Sequence, residues 1–318
     1  MIASSQEKLA RFRMRFPATS ANLGAGFDAA AVALNFFLEV EAESAAEFSI
    51  NASGRDAYLC RELDDNLILG VYNKFLTESG KPVIPLAIRM HNEIPLGMGC
   101  GSSAAGRLAG IALAVHFGQL GWSSDQIFEE ACMLEGHPDN AAACWLGGFV
   151  AAASEGRKVH LAQVEPPAEW RAILVLPPDS LATCKARAVL PDSYSRTDAV
   201  VNIQAVSLLG LAFSQGRGDL LQAAMRDRIH QPYRIPICPM LPRLLPLAGT
   251  QGILGVALSG AGPAVLVIVG GEGDLEKASA AIRLELNGLP EPEFLICRFE
   301  RAGAMRTFCP KVSEISNR

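Results

Sequence analysis

Apolar positions along the chain recur in three different ways, and each predicts a different element. The opening residues MIASSQEKLARFRMRF alternate charged and apolar side chains and lack the apolar block of a secretory signal, so they lead into a strand over residues 11–16. Further strands are predicted over 35–42 and 86–92, with a helix over 66–79 between them. SAAGRLAGIALAVHFGQL, residues 103–120, is Ala- and Leu-rich and free of proline, which predicts a helix with a serine near its N-cap. A second helix, 124–135, opens with Ser-Ser-Asp capping chemistry. Glycines at 147–148 and 156 punctuate a hairpin-like region, and EPPAEW, residues 165–170, marks a linker or domain edge. The second half then reads as a strand at 171–177, helices at 200–215 and 219–229, and strands at 255–269 and 293–299. The pattern is α+β, with the polar clusters of the first half near a domain junction.

One segment, GILGVALSGAGPAVLVIVGG (252–271), is long and apolar enough to raise the question of a membrane span. Its centre is SGAGP, and Gly-Pro there breaks a helix, so two short buried strands, 255–258 and 264–269, around a glycine turn fit better. With 318 residues, half of them hydrophobic and 19% charged, the chain is long enough for two domains or one large one and needs no covalent staples. A net charge of −5 without a basic cluster argues against a nucleic-acid groove. The eight cysteines form no C-x-x-C pair, which suits buried thiols in a reducing compartment, with the cytoplasm as the expected location.

PLGMGCGSSAAG, residues 95–106, gathers four glycines and two serines where the chain enters the 103–120 helix. A helix N-terminus carries unpaired N–H groups and partial positive charge, and residues without Cβ let an anion approach the backbone, so phosphate is the natural guest. A plain tight turn is the alternative. A P-loop would place Lys and then Ser or Thr after its last glycine, but Gly101 is followed by Ser102 and Ser103. Gly99, Gly101 and Ala104 match a dinucleotide fingerprint, yet no acidic residue closes a second strand about twenty positions on. Cys100 has no His near it in sequence and reads as a packed thiol.

Further polar clusters stand at PATSANLGAGFD (17–28), EGHPDN (135–140), TCKARAVLP (183–191) and HQPYR (230–234). Taken singly, each also fits a turn, a helix cap or a solvated arginine. Together and in order, with the glycine loop and LSGAGPAVLVI, they resemble the GHMP superfamily of small-molecule kinases and, within it, the homoserine kinases, from about Pro17 to Val269. The resemblance implies a two-domain α+β GHMP kinase fold: a ribosomal-S5-like N-terminal domain, 1–164, and a ferredoxin-like C-terminal domain, 165–318. It implies an ATP-dependent kinase of threonine biosynthesis that phosphorylates the side-chain hydroxyl of L-homoserine. The cofactors implied are ATP and Mg²⁺, with no nucleic-acid or membrane partner and a homodimer left open. Another GHMP kinase, acting on mevalonate, shikimate or a sugar, and a non-catalytic relative are the alternatives.

Residue by residue, the resemblance places the ATP phosphates in the loop Pro95, Leu96, Gly97, Met98, Gly99, Cys100, Gly101, Ser102 and Ser103, with Asn66 on the adenine side. Ser103 and Glu135 are implied to hold Mg²⁺, with Glu129 or Glu130 as alternatives to Glu135. The homoserine pocket is implied to comprise Asn22, Asp28, His137, Asn140, Arg187 and Arg234, with Thr183, Arg187 and Asn140 nearest the reacting atoms. Asp28 would meet the ammonium and the two arginines the carboxylate. Asp139 is left either as a base or as the residue that orients Asn140. Met98 and Cys100 depart from the family loop but contribute mainly backbone, and Gly106 in the helix costs about 1 kcal/mol relative to Ala.

Overall fold

The computed structural model describes residues 11–308, so the lead-in at 1–10 lies outside the described residues. Its first half is built on a long hairpin of β1 (Phe12–Asn22) and β2 (Gly26–Ser44). Strand β2 starts well before the predicted residue 35. Residues 30–34 are all buried, so the two-residue alternation that reveals a strand is erased there. β3 (Ser49–Gly54), α1 (Ala57–Cys60), α2 (Leu67–Glu78) and β4 (Leu86–Asn92) follow, then α3 (Ser102–Gly118), α4 (Ser124–Glu135), α5 (Asp139–Leu146), β5 (Phe149–Glu155) and β6 (Lys158–Val164). The sheet order is β3-β4-β2-β5-β6, with β1 paired to β2. Helix α3 is buried along nearly its whole length, which its run of Ala, Leu and Gly permits.

The second half contains β7 (Arg171–Leu176), α6 (Thr183–Ala188), α7 (Arg196–Gln215), α8 (Leu221–Ala224), α9 (Gln231–Arg234), α10 (Leu241–Leu244), β8 (Ile253–Leu258), β9 (Val265–Val269), α11 (Leu275–Glu285) and β10 (Glu293–Cys297). Its sheet is antiparallel with the order β10-β7-β9-β8, the ferredoxin-like arrangement. The apolar 252–271 segment forms the β8–β9 hairpin that its Gly-Pro break predicts. The helix predicted over 219–229 stops at Ala224 instead. Asp227 takes over the following backbone, accepting from the N–H groups of Ile229, His230 and Gln231. Helix α7 starts four residues earlier than predicted because the Ser195 hydroxyl caps it at Asp198 N. By length and composition α7 could cross a membrane; here it turns Asn202, Ala205, Leu209, Ala212 and Phe213 inward.

Strand β7 joins the halves. Ala172, Leu174 and Leu176 enter the core shared with the first sheet, while Ile173 and Val175 face a second cluster beneath α10 and α11. Phe213 stacks on Phe149 at 4.4 Å, tying α7 to β5. Residues 298–308 return to the first sheet, with Glu300 N bonded to Ala33 O and Gly148 N to Glu300 O. The β1–β2 turn, the start of α3, the α4–α5 corner, α6, α9 and the β8–β9 turn meet in one cleft.

Candidate active site

The glycine loop is fixed from outside. Gly97, Gly99 and Gly101 have φ of 68, 77 and 74°, the left-handed region that favours glycine. A Cβ on Gly99 would stand 2.1 Å from Ser259 O, and one on Gly101 would stand 1.9 Å from Thr19 Oγ1. Ser259 Oγ lies 2.8 Å from Gly99 O and 2.8 Å from Ser20 Oγ, and Ala264 N donates to Met98 O. The N-cap of α3 is Gly101, with Ser102 and Ser103 as its first two helical residues, and no side chain caps it. The first-turn N–H groups beside Ser102 and Ser103 therefore face the cleft with their positive end uncompensated.

On one side of this helix end lies Glu135, the last residue of α4, where Gly136 closes the helix in a left-handed cap. Ser103 Oγ donates to Glu135 Oε1 at 3.0 Å, and Arg107 Nη1 donates to Ser103 Oγ at 2.7 Å and also to Glu135 Oε1. Glu130 instead pairs with Arg157, and neither it nor Glu129 lines the cleft. His137 Nδ1 is 2.6 Å from Asp139 Oδ1, which also accepts from Asn140 N at 2.7 Å. Burial alone would pull the His137 imidazole down. The Asp139 hydrogen bond, its charge and that of Asp28 outweigh this, so its pKa lies above the ordinary value despite opposition from Arg187. Asp139 is 1% exposed and orients both His137 and Asn140. Thr19 Oγ1 donates to Asn140 Oδ1 at 2.6 Å and fixes that amide from β1.

Opposite stand Asp28 and Arg187. Arg187, on α6, donates from Nη2 to Asp28 Oδ1 at 2.7 Å and from Nη1 to Asp28 Oδ2 at 3.1 Å, a bidentate pair across the two halves. Burial acts to lower the Arg187 pKa, but the Asp28 bonds and charge raise it overall. Asn22 ties the turn together, donating to Gly260 O and accepting from Asp28 N. Arg234 is 1% exposed; its Nε donates to Ala186 O and its Nη1 to His230 Nδ1 and Gly260 O. Nη2 has no protein partner among the described residues, and Arg234 lines the cleft. His230 Nε2 lies 2.9 Å from Gly24 O, so the proton sits on Nε2 and Nδ1 accepts from Arg234. Burial holds His230 in this neutral form. Phe27 stacks on His230 with both guanidinium groups 5.6 Å from its ring centre.

Asn22, Asp28, Glu135, His137, Asn140, Thr183, Arg187 and Arg234 thus converge, with Gly97, Gly99, Cys100, Gly101, Ser102 and Ser103. Pro95, Leu96 and Met98 do not line the cleft: Leu96 N is bonded to Asp56 Oδ2 and Met98 packs on the core. Asn66 is elsewhere too, its amide spent on capping α2 and on Cys60 O and Glu62 O. Sequence reasoning missed Thr19, Phe27, Arg107 and His230. Thr19, Phe27 and His230 lie inside the clusters 17–28 and 230–234 without a role assigned to them, and Arg107 lies one helical turn after Ser103.

A glycine loop on a helix end, facing paired charges across two sheets, is an arrangement suited to holding phosphates beside a charged small molecule, and the family matches agree in kind. The N-terminal domain of the GHMP kinases matches residues 66–148 and their C-terminal domain matches residues 211–288. A homoserine kinase of Solibacter usitatus is 45% identical over 257 residues, covering 80% of this chain and 84% of the relative. One from Thermus thermophilus is 41% identical over 276 residues, covering 85% and 92%. The crystal structure of a homoserine kinase from Cytophaga hutchinsonii superposes with a TM-score of 0.78 over 95% of this chain and 98% of that one, at 24% identity. The chain belongs to the homoserine kinase family of the GHMP kinases.

Proposed function

We propose that the protein transfers the γ-phosphoryl group of ATP to the side-chain hydroxyl of L-homoserine, giving O-phospho-L-homoserine. The observation that carries this is the Asp28–Arg187 pair, with the free Nη2 of Arg234, in the same cleft as the uncapped N-terminus of α3. A zwitterion holds its ammonium and carboxylate on one carbon, and a fixed carboxylate beside guanidinium groups is the matching charge pattern. Arg187 spends both Nη atoms on Asp28, so it would meet the substrate through Nε and the remaining N–H directions while Arg234 offers Nη2.

The ATP phosphates would rest on the N–H groups of residues 97–103. Ser103 Oγ and Glu135 Oε1, 3.0 Å apart beside that loop, are hard oxygen donors and fit Mg²⁺, which binds through few protein groups plus phosphates. When bound, it neutralises charge on the transferring phosphoryl oxygens. Asn140, held by Thr19 and Asp139, and Thr183 at the start of α6 would position the acceptor hydroxyl. Because the transition state is loose, this alignment supplies much of the rate, and Asp139, already bonded to His137 and to Asn140 N, serves orientation. A cytoplasmic setting is supported by seven free cysteines among the described residues. The test is phosphate transfer in a coupled ADP-release assay with homoserine, mevalonate, shikimate and galactose. Homoserine should be turned over and the other three barely; preference for any of them overturns the substrate.

A further inference from the structure

Arg107 lies one helical turn after Ser103, so both side chains share a face of α3. Its Nη1 reaches the same two oxygens assigned above to the metal, at 2.7 Å from Ser103 Oγ and bonded to Glu135 Oε1. The Glu135 side chain is only 7% exposed, and a carboxylate so placed needs a balancing positive charge. Arg107 supplies it. Octahedral Mg²⁺ requires oxygens at about 2.0–2.1 Å, and a guanidinium seated on both of these oxygens sets a like charge against a cation bound there. Unlike Glu135, the Arg107 side chain is 25% exposed, so it has a way out to solvent by rotation.

We infer that Arg107 is a tethered cation that exchanges with the divalent metal at Ser103 and Glu135, and so sets how tightly metal is held. It is a positioning residue: it aims Glu135 at the helix end, and its charge competes with the metal there. The inference rests on the assignment of Ser103 and Glu135 as metal ligands, and its test separates the two. The probe is a non-hydrolysable ATP analogue titrated into the full chain by calorimetry, once with Mn²⁺ and once with EDTA. The ratio of the two affinities measures what the metal contributes, without turnover.

Arg107→Gln removes the competing charge and should raise that ratio about tenfold, the equivalent of one charge-assisted hydrogen bond. Arg107→Lys keeps a cation on the same stem and should stay within about twofold of wild type, since the charge and not the fork is the competitor. Glu135→Gln should bring the ratio close to unity. If Glu135→Gln lowers the ratio while Arg107→Gln leaves it unchanged or lowers it, the metal ligands stand and the exchange is overturned. An equal rise in Arg107→Gln and Arg107→Lys also overturns it. A Glu135→Gln protein with the wild-type ratio removes the metal assignment itself, and the exchange with it.

Discussion

Arg234 is held on three sides before any substrate arrives: Ala186 O on Nε, and His230 Nδ1 and Gly260 O on Nη1. An ammonium has no planar fork to satisfy these acceptors and still present a donor to the cleft, so Arg234→Lys should lower kcat/KM for homoserine about 10- to 100-fold. KM for ATP should stay near wild type. With 3-aminopropanol, which lacks the carboxylate, the wild type should be poor and the variant little worse. Equal loss on both compounds would show that Arg234 serves the phosphates or the fold. His137 gives a pH-dependent counterpart. Its pKa is raised because the Asp139 contact favours the imidazolium, so the stability this adds is complete below about pH 6.5, the ordinary histidine value. It is lost as pH rises through the elevated pKa. The Tm advantage of wild type over His137→Gln should therefore be larger at about pH 6 than at about pH 9; a constant difference would contradict the Asp139 coupling.

At the scale of elements, the glycine loop is shaped by what packs on it as well as by what it binds. Gly99 has φ 77° and its missing Cβ would lie 2.1 Å from a backbone oxygen on the β8–β9 turn. Gly99→Ala should therefore cost about 1–3 kcal/mol or more in urea unfolding and raise KM for ATP. Gly80, with φ 65° and nothing within 4 Å of a Cβ, is the matched control: Gly80→Ala should cost about 1 kcal/mol and leave ATP binding alone. Identical behaviour of the two would mean that the loop tolerates displacement from the β8–β9 turn. The same interplay explains why the predicted 219–229 helix breaks. Its local pattern is helical, but Asp227, whose side chain is fully buried, draws three backbone N–H groups out of the helix and presents His230 to Arg234.

Over the whole molecule, one apolar core runs from α3 and the first sheet through Trp170, β7 and Phe213 into the second half. Asn202 adds a polar tie, donating to Ala25 O in the β1–β2 turn while accepting from Arg228 N. Cores that are shared do not unfold separately, so urea should give one transition in which tryptophan fluorescence, far-UV circular dichroism and loss of activity coincide. Two resolved transitions would show that the halves are independent. Asn202→Leu, which leaves Ala25 O and Arg228 N without their amide partner, should lower the midpoint by an amount worth about 2–4 kcal/mol and lower activity, because the turn it holds carries Asp28.

The amino-acid sequence alone determined the elements with local cause. The Ala-rich α3 has no breaker, the Gly-Pro break makes a β8–β9 hairpin of 252–271, and Ser123 and Gly136 delimit α4. It also carried the order of clusters that marks the family, because a phosphate loop and charged substrate contacts need fixed residue types at fixed places in the chain. It could not reveal which charges would meet. Asp28 and Arg187 are 159 positions apart, Asn22 and Gly260 are 238 apart, and Thr19 reaches Asn140 over 121, so the first two pairings exist only once the two halves are packed and the third only once α5 lies on β1. Asn66 shows the converse: its family motif suggests an adenine-side residue, and only the folded chain reveals that its Oδ1 caps α2 while its Nδ2 bonds Cys60 O and Glu62 O. Local propensity acts over one helical turn or strand repeat, whereas burial decides which distant polar groups must satisfy each other, and this site is made of such groups.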